Sequence, residues 1–174
     1  FEANTGNVIS ETINAGTGDV IINAGDKISN IDNNSLITAD KLSLNAGNSI
    51  GSSSNHINTT INSLSAKADT NDVDTTDDNH IFVTNTQALI IDSITIDINR
   101  VDSSATIDTD TTGTTQEDIS TSDNGNIVIK ASDITLEGGS DSVGLNALGT
   151  GNVKLNATSG DITLNDNVNA GSGD

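Results

Sequence analysis

Two stretches of this chain align without a gap at an offset of 22 residues: "DVIINAGDKISN", from Asp19, and "KLSLNAGNSIGS", from Lys41. Val20 falls on Leu42, Ile22 on Leu44, Ala24 on Ala46, Gly25 on Gly47 and Ile28 on Ile50, and Leu64-Ser65-Ala66 carries the offset once more. Within each stretch the apolar residues alternate with period 2, the mark of a strand with one buried face. A later pair, "GNIVIKASDITLEG" from Gly125 and "GNVKLNATSGDITLND" from Gly151, repeats a strand–turn–strand theme. A repeat in the low twenties, made of short strands with Asn and Gly between them, describes one coil of a solenoid. One such coil cannot bury its own apolar side. Stacked coils, about 4.8 Å apart, bury one another's and pair their backbones in parallel.

The fold expected is therefore all-β: a parallel β-helix with coils of roughly 20–25 residues. Seven or eight coils would make a rod of about 35–40 Å. The alternative is an antiparallel β-sandwich, which also shows short alternating strands. It predicts irregular strand spacing and core aromatics. This chain has two phenylalanines, Phe1 and Phe82, and no Trp, Tyr, Pro, Met or Cys. Columns of Ile, Leu, Val and Ala, with Asn ladders at turns, would supply the core instead.

The chain's end resembles its beginning. Val168 to Asp174, "VNAGSGD", lies over Ile13 to Asp19, "INAGTGD", at an offset of 155. The expectation is a single β-helical segment, residues 1–174, excised from a longer repetitive protein. Acidic, Thr- and Ser-rich insertions are expected to bulge from it at about 69–79, "DTNDVDTTDDN", and 102–124, "DSSATIDTDTTGTTQEDISTSDN".

The charge narrows the partners. There are 25 acidic and 6 basic residues, a formal net charge of −19. Phosphate binding needs clustered Lys and Arg, so nucleic acid and anionic lipid are not expected. No run is long and apolar enough to span a membrane. Without cysteine there is no disulfide, thiolate nucleophile or zinc–thiolate site.

The wording also resembles a known family. "ITADKLSLNAGNSIGSSSNHINTTINSLSAKA", then "NHIFVTNTQALIIDSITI", and later "GTGNVKLNATSGDITLND" are similar to repeats of filamentous haemagglutinin-like exoproteins of Gram-negative bacteria. The resemblance covers most of residues 6–101 and 125–174. It implies a right-handed parallel β-helix within a secreted or cell-surface adhesin, often exported by a two-partner route. It carries no catalytic motif. The function expected is a non-catalytic structural or adhesive module that attaches to a glycan or protein on another cell and packs against neighbouring repeats of its own chain. The rival is a β-helical polysaccharide-binding or polysaccharide-degrading domain.

Candidate chemistry is sparse. "DTDTTG" imitates the opening of a calcium loop, with Asp108, Asp110 and Thr112 as oxygen ligands before Gly113. Ile119 stands where the closing glutamate would be. Asp72, Asp74 and Asp77, with Asp69 and Asp78, form a second candidate Ca²⁺ set of hard oxygen donors. Asp92 and Asp97 are the carboxylates nearest to a hydrolase pair. His56 and His80 read as surface or turn residues, since no G-x-S-x-G elbow occurs. The sequons at Asn33, Asn58 and Asn156 are expected by chance in so Asn-rich a chain.

Overall fold

The computed structural model describes residues 1–68, 79–101, 103–110, 115–137, 139, 140 and 142–174, with backbone alone at 99–101 and 107–110. The described residues contain strands and turns but no helix. The strands stack in parallel as a β-helix of about five turns, fewer than the seven or eight coils expected. The difference is chain spent outside the stack.

One sheet stacks Glu2–Ala3, Val20–Ala24, Lys41–Ala46 and Ser63–Ala68 in order. The register places Val20 beside Leu42 and Leu42 beside Leu64, as the 22-residue repeat requires. The other sheet stacks Thr12–Asn14, Leu36–Thr38, Ile57–Thr60, Ile81–Asn85, Ile127–Ala131 and Val153–Ala157. Val8–Ser10 and Ile28–Asn30 extend it on one side, and bridges from Ile28 to Ile50 to Ile81 continue that extension. The inward side chains form the expected aliphatic columns: Ile22, Leu44 and Ala66 on one wall, Ile57, Val83 and Ile129 on the other, all buried. Each fully buried Ile or Leu contributes about 1.5–3 kcal/mol relative to exposure.

The first sheet divides at its fourth rung. Ser63–Leu64 is continued by Leu89–Ile91, and Ala66–Ala68 by Ile119–Thr121. Between these half-rungs the chain leaves the stack. The excursion therefore runs over residues 92–118, not 102–124: Ile119 and Thr121 are buried rung residues, placed there because Ile119 continues the Ala66 column. Nor is the excursion a plain loop. Ile94–Thr95 pairs with Thr115–Gln116, and Ile98–Val101 with Ile107–Asp110, both antiparallel. Its base folds back over the outer side of the first sheet. Ile94 and Ile96 are buried, and Gln116 Nε2 donates to the Leu44 carbonyl at 2.9 Å. The other expected insertion lies outside the described residues except at Asn79, which is buried in a corner of the stack.

The matching words at the chain's two ends occupy different places in the coil. Asn14 leaves the second sheet for the first, whereas Asn169 leaves the first for the second. What recurs is a corner, not a coil phase. The Gly16 N–H donates to Asn14 Oδ1 at 2.9 Å, and the Gly171 N–H to Asn169 Oδ1 at 3.0 Å. Both glycines have φ of 59°, the left-handed region that favours glycine.

Candidate functional site

The corners explain where the polar residues go. At the turn from the first sheet into the second, one column runs through Asn7, Lys27, Ser49, His80, Asn126, Asn152 and Asp174. Along it a side-chain acceptor in one coil receives the backbone N–H of the next. The Lys27 N–H donates to Asn7 Oδ1 at 3.0 Å, the Asn152 N–H to Asn126 Oδ1 at 2.8 Å, and the Asp174 N–H to Asn152 Oδ1 at 2.7 Å. At His80 the acceptor is a ring nitrogen: the Asn126 N–H donates to His80 Nδ1 at 2.8 Å. An N–H donor assigns this nitrogen as the unprotonated one and puts the proton of the neutral ring on Nε2. His80 thus does the work of an asparagine. His80→Asn is expected to keep the fold within about 0.5 kcal/mol of the parent, whereas His80→Ala, which orphans the Asn126 N–H, should cost about 1–3 kcal/mol. Urea unfolding of the two variants measures this, and equal losses would deny the ladder role.

The opposite corner is acidic for a similar reason. The Lys41 N–H donates to Asp19 Oδ1 at 3.1 Å, Asn62 Nδ2 to Asp40 Oδ1 at 2.7 Å, and the Asp161 N–H to Asp133 Oδ1 at 3.2 Å. Part of the chain's acidity is therefore corner chemistry rather than ligand chemistry. Apart from Glu2 in the terminal rung, the strands of the two sheets carry no carboxylate, in keeping with the repulsion of like charges on neighbouring rungs.

The outer side of the second sheet is the most distinctive surface. None of its strands contains Asp or Glu. It carries Lys130 and Lys154, with Lys27 at its margin, and all three are exposed. It also carries an aromatic cluster. Phe82 is flanked by His56 and His80, each ring centroid 5.4 Å from its own, one tilted at 42° and the other edge-on at 73°. Phe82 faces the loop Gly51–His56, which bulges from the rung below because Ile81 pairs with Ile50 while Val83 pairs with Ile57. Burial, and then the Lys130 ammonium, hold the His56 imidazole below its ordinary 6.5. His56 Nδ1 lies 2.9 Å from Thr84 Oγ1. A groove of about 410 Å³ lies beside this cluster, lined by Lys27, Ser52, Ser53, His80, Phe82 and Asn126 among others. Both histidines, read from sequence as surface or turn residues, are half-buried and share one ring contact. Nothing in their local sequence marks the pairing, because 24 residues separate them.

The calcium candidates fall elsewhere. Asp72, Asp74, Asp77 and Thr112 lie outside the described residues. Asp108 and Asp110 lie on the backbone of the excursion's hairpin, Asp108 opposite Arg100 and Asp110 opposite Ile98. Up to Asp110 the calcium-like motif is thus paired strand rather than turn. Among the described residues no group of three or more His, Asp or Glu is placed to hold a metal ion. Asp92 accepts its neighbour's Ser93 N–H at 2.7 Å, and Asp97 is exposed beside a shallow groove with Phe1, Ile21 and Ile98.

No protein-family model matches the chain, and no characterised protein or solved structure is matched by it. What the fold and surface define is a class: a parallel β-helical repeat protein with acidic corners, a lysine-bearing sheet face and a hairpin excursion.

Proposed function

We propose that this chain is a structural and adhesive module of a large secreted or cell-surface adhesin of the filamentous haemagglutinin-like kind. It acts without catalysis, as a rigid spacer whose outward surfaces make contact with another cell. The observation that carries this reading is the continuity of the stack past its interruption. The rungs at Leu89–Ile91 and Ile119–Thr121 rejoin through Ile134–Leu136 and Val143–Ala147, although 27 residues leave between them. Such a core tolerates outward variation while keeping its axis, which is what a spacer that presents surfaces needs.

Beads coated with the chain are expected to be retained under flow on a lawn of cells at least fivefold more than beads coated with an inert protein. Replacing residues 99–110 by a two-residue turn should leave far-UV circular dichroism and the melting temperature nearly unchanged, because the hairpin tip adds nothing to the rungs. Retention no greater than on inert beads, across bacterial and animal cell lawns, would overturn the adhesive reading.

A further inference from the structure

The second sheet's outer side deepens that reading. We propose that it is a docking face for an extended anionic polysaccharide bearing carboxylates, a polyuronate, running along the rod. The inference rests on the adhesive function and places the contact on the sheet face rather than on the excursion.

Charge is the first support. The chain holds 25 acidic residues, yet Lys27, Lys130 and Lys154 have no ion-pair partner among the described residues, and no acidic residue lies on the strands that bear this face. With so many carboxylates available, three exposed and unpaired ammonium groups on one side form a local cationic stripe. At physiological salt the screening length is about 8 Å, so the corner carboxylates oppose it less than the net charge implies.

Geometry decides the size of the ligand. Lys27 and Lys154 lie four rungs apart along the column from Ile28 through Ile50, Ile81 and Ile127 to Val153. At about 4.8 Å per rung that is about 19 Å, too far for one sugar and suited to a polymer lying along the axis. Lys130 and Lys154 sit on adjacent rungs, since Lys130 pairs with Asn156 and Val128 with Lys154. Around the lysines the face is neutral and polar, with Asn58 and Thr84 on adjacent rungs, whose side chains bond the Asn33 carbonyl and His56 Nδ1, and with Asn126 and Asn156.

The aromatic cluster favours an acidic over a neutral glycan. A neutral sugar would be recognised by stacking on an open ring, but Phe82 is only 7% exposed, covered by its two imidazoles. The ammonium groups remain as the recognising chemistry, and carboxylates are their complement.

Affinity electrophoresis of the whole chain in gels cast with sodium polygalacturonate, or with dextran as the neutral control, tests this. Polygalacturonate is expected to retard the chain and dextran not to. The variant Lys130→Gln/Lys154→Gln should bind at least tenfold more weakly, while Lys41→Gln/Lys67→Gln, with the same change of charge, should bind like the parent. Circular dichroism establishes that both variants are folded. Undiminished retardation of the face variant, equal loss in both variants, or no retardation of the parent would each overturn the proposal. Bead retention on cells separates the two failures. A chain that attaches to cells but ignores polygalacturonate leaves the adhesive function standing without this face, whereas one that does neither removes both.

Discussion

Gly47→Val is expected to unfold the amino-terminal coils, or to lower the urea midpoint so far that the native baseline is lost. Gly47 sits at the corner where the first sheet turns into the second. Its N–H donates to the Ala24 carbonyl at 2.9 Å, and the next N–H, of Asn48, to the Asp26 carbonyl at 2.8 Å. A Cβ on Gly47 would fall onto the carbonyl oxygen of Gly25 directly below, and would lie 2.9 Å from that carbonyl's carbon. Both contacts are with backbone, so no side chain can swing away. Relief requires the two coils to part at this corner. That breaks the hydrogen bonds holding the rungs and opens the column of Ile22, Leu44 and Ala66 to water. The expected loss is about 4 kcal/mol or more, at the upper end for single substitutions. Gly6 provides the control. Nothing lies within 4 Å of where its Cβ would be, so Gly6→Ala should stay within about 0.5 kcal/mol of the parent. Urea unfolding followed by far-UV circular dichroism compares them. An unchanged midpoint for Gly47→Val would show that the coils at this corner are not in backbone contact.

The same corner shows how much of the fold is legible in the sequence. The pairs Val20–Leu42, Ala24–Ala46 and Leu42–Leu64 follow from the 22-residue offset and recur in the register without correction. Equal coils stacked in parallel turn sequence spacing directly into spatial neighbours. The pairing of Ile127 with Val153 follows likewise from the two Gly-Asn strand starts. Legibility fails where coils stop being equal. Leu89–Ile91 and Ile119–Thr121 belong to one rung, but 27 residues intervene, and no periodic count can bridge such an interval. The half-rung "IST" is also too short to alternate visibly. At the two ends the opposite error arises. At both ends an Asn-Ala-Gly makes the same corner, because an amide oxygen two residues before a left-handed glycine captures its N–H. Similar words therefore mark similar turns without marking the same position in the coil.

The candidate site was less legible than the fold, for a related reason. The lysines are visible in the sequence, but as five of six scattered cations. Stacking brings Lys130 and Lys154 to adjacent rungs and returns Lys27 to the same side. His80 could be recognised only by noting that it occupies the place of Asn126 and Asn152, immediately before an inward Ile or Val. That alignment requires the coil register first.

Asn85 carries the second large effect, and it tests whether a buried amide can be as indispensable as a glycine. Its side chain is 4% exposed at the turn from the second sheet to the first. Oδ1 accepts from Thr59 Oγ1 at 2.9 Å and from the Ile61 N–H at 3.0 Å. Nδ2 donates to the carbonyls of Ile61 and Gln87 at 3.0 Å and of Ala88 at 3.3 Å. One amide thereby ties the corner of its own coil to the corner of the coil before it. Asn85→Ala leaves the buried Ile61 N–H and the Ile61 and Ala88 carbonyls without the partner that Asn85 supplies, while the Thr59 hydroxyl keeps the Thr84 carbonyl at 3.4 Å and the Gln87 carbonyl keeps the Ser132 N–H at 3.2 Å. Each buried group so orphaned costs about 1–3 kcal/mol, and partial relaxation keeps the sum near 3–5 kcal/mol. Asn85→Asp separates hydrogen bonding from packing, because it preserves the shape but replaces the donor with an oxygen facing carbonyls. At neutral pH it should destabilise at least as much as alanine, since an ionised carboxylate would be buried against like dipoles. Acidification should recover part of that loss, as the protonated acid regains one donor. Urea midpoints of the three proteins at pH 7 and pH 4 measure this. A flat response to pH in the aspartate variant, after subtraction of the parent's own, would mean that the corner is held by shape alone and that the hydrogen bonds are incidental to it.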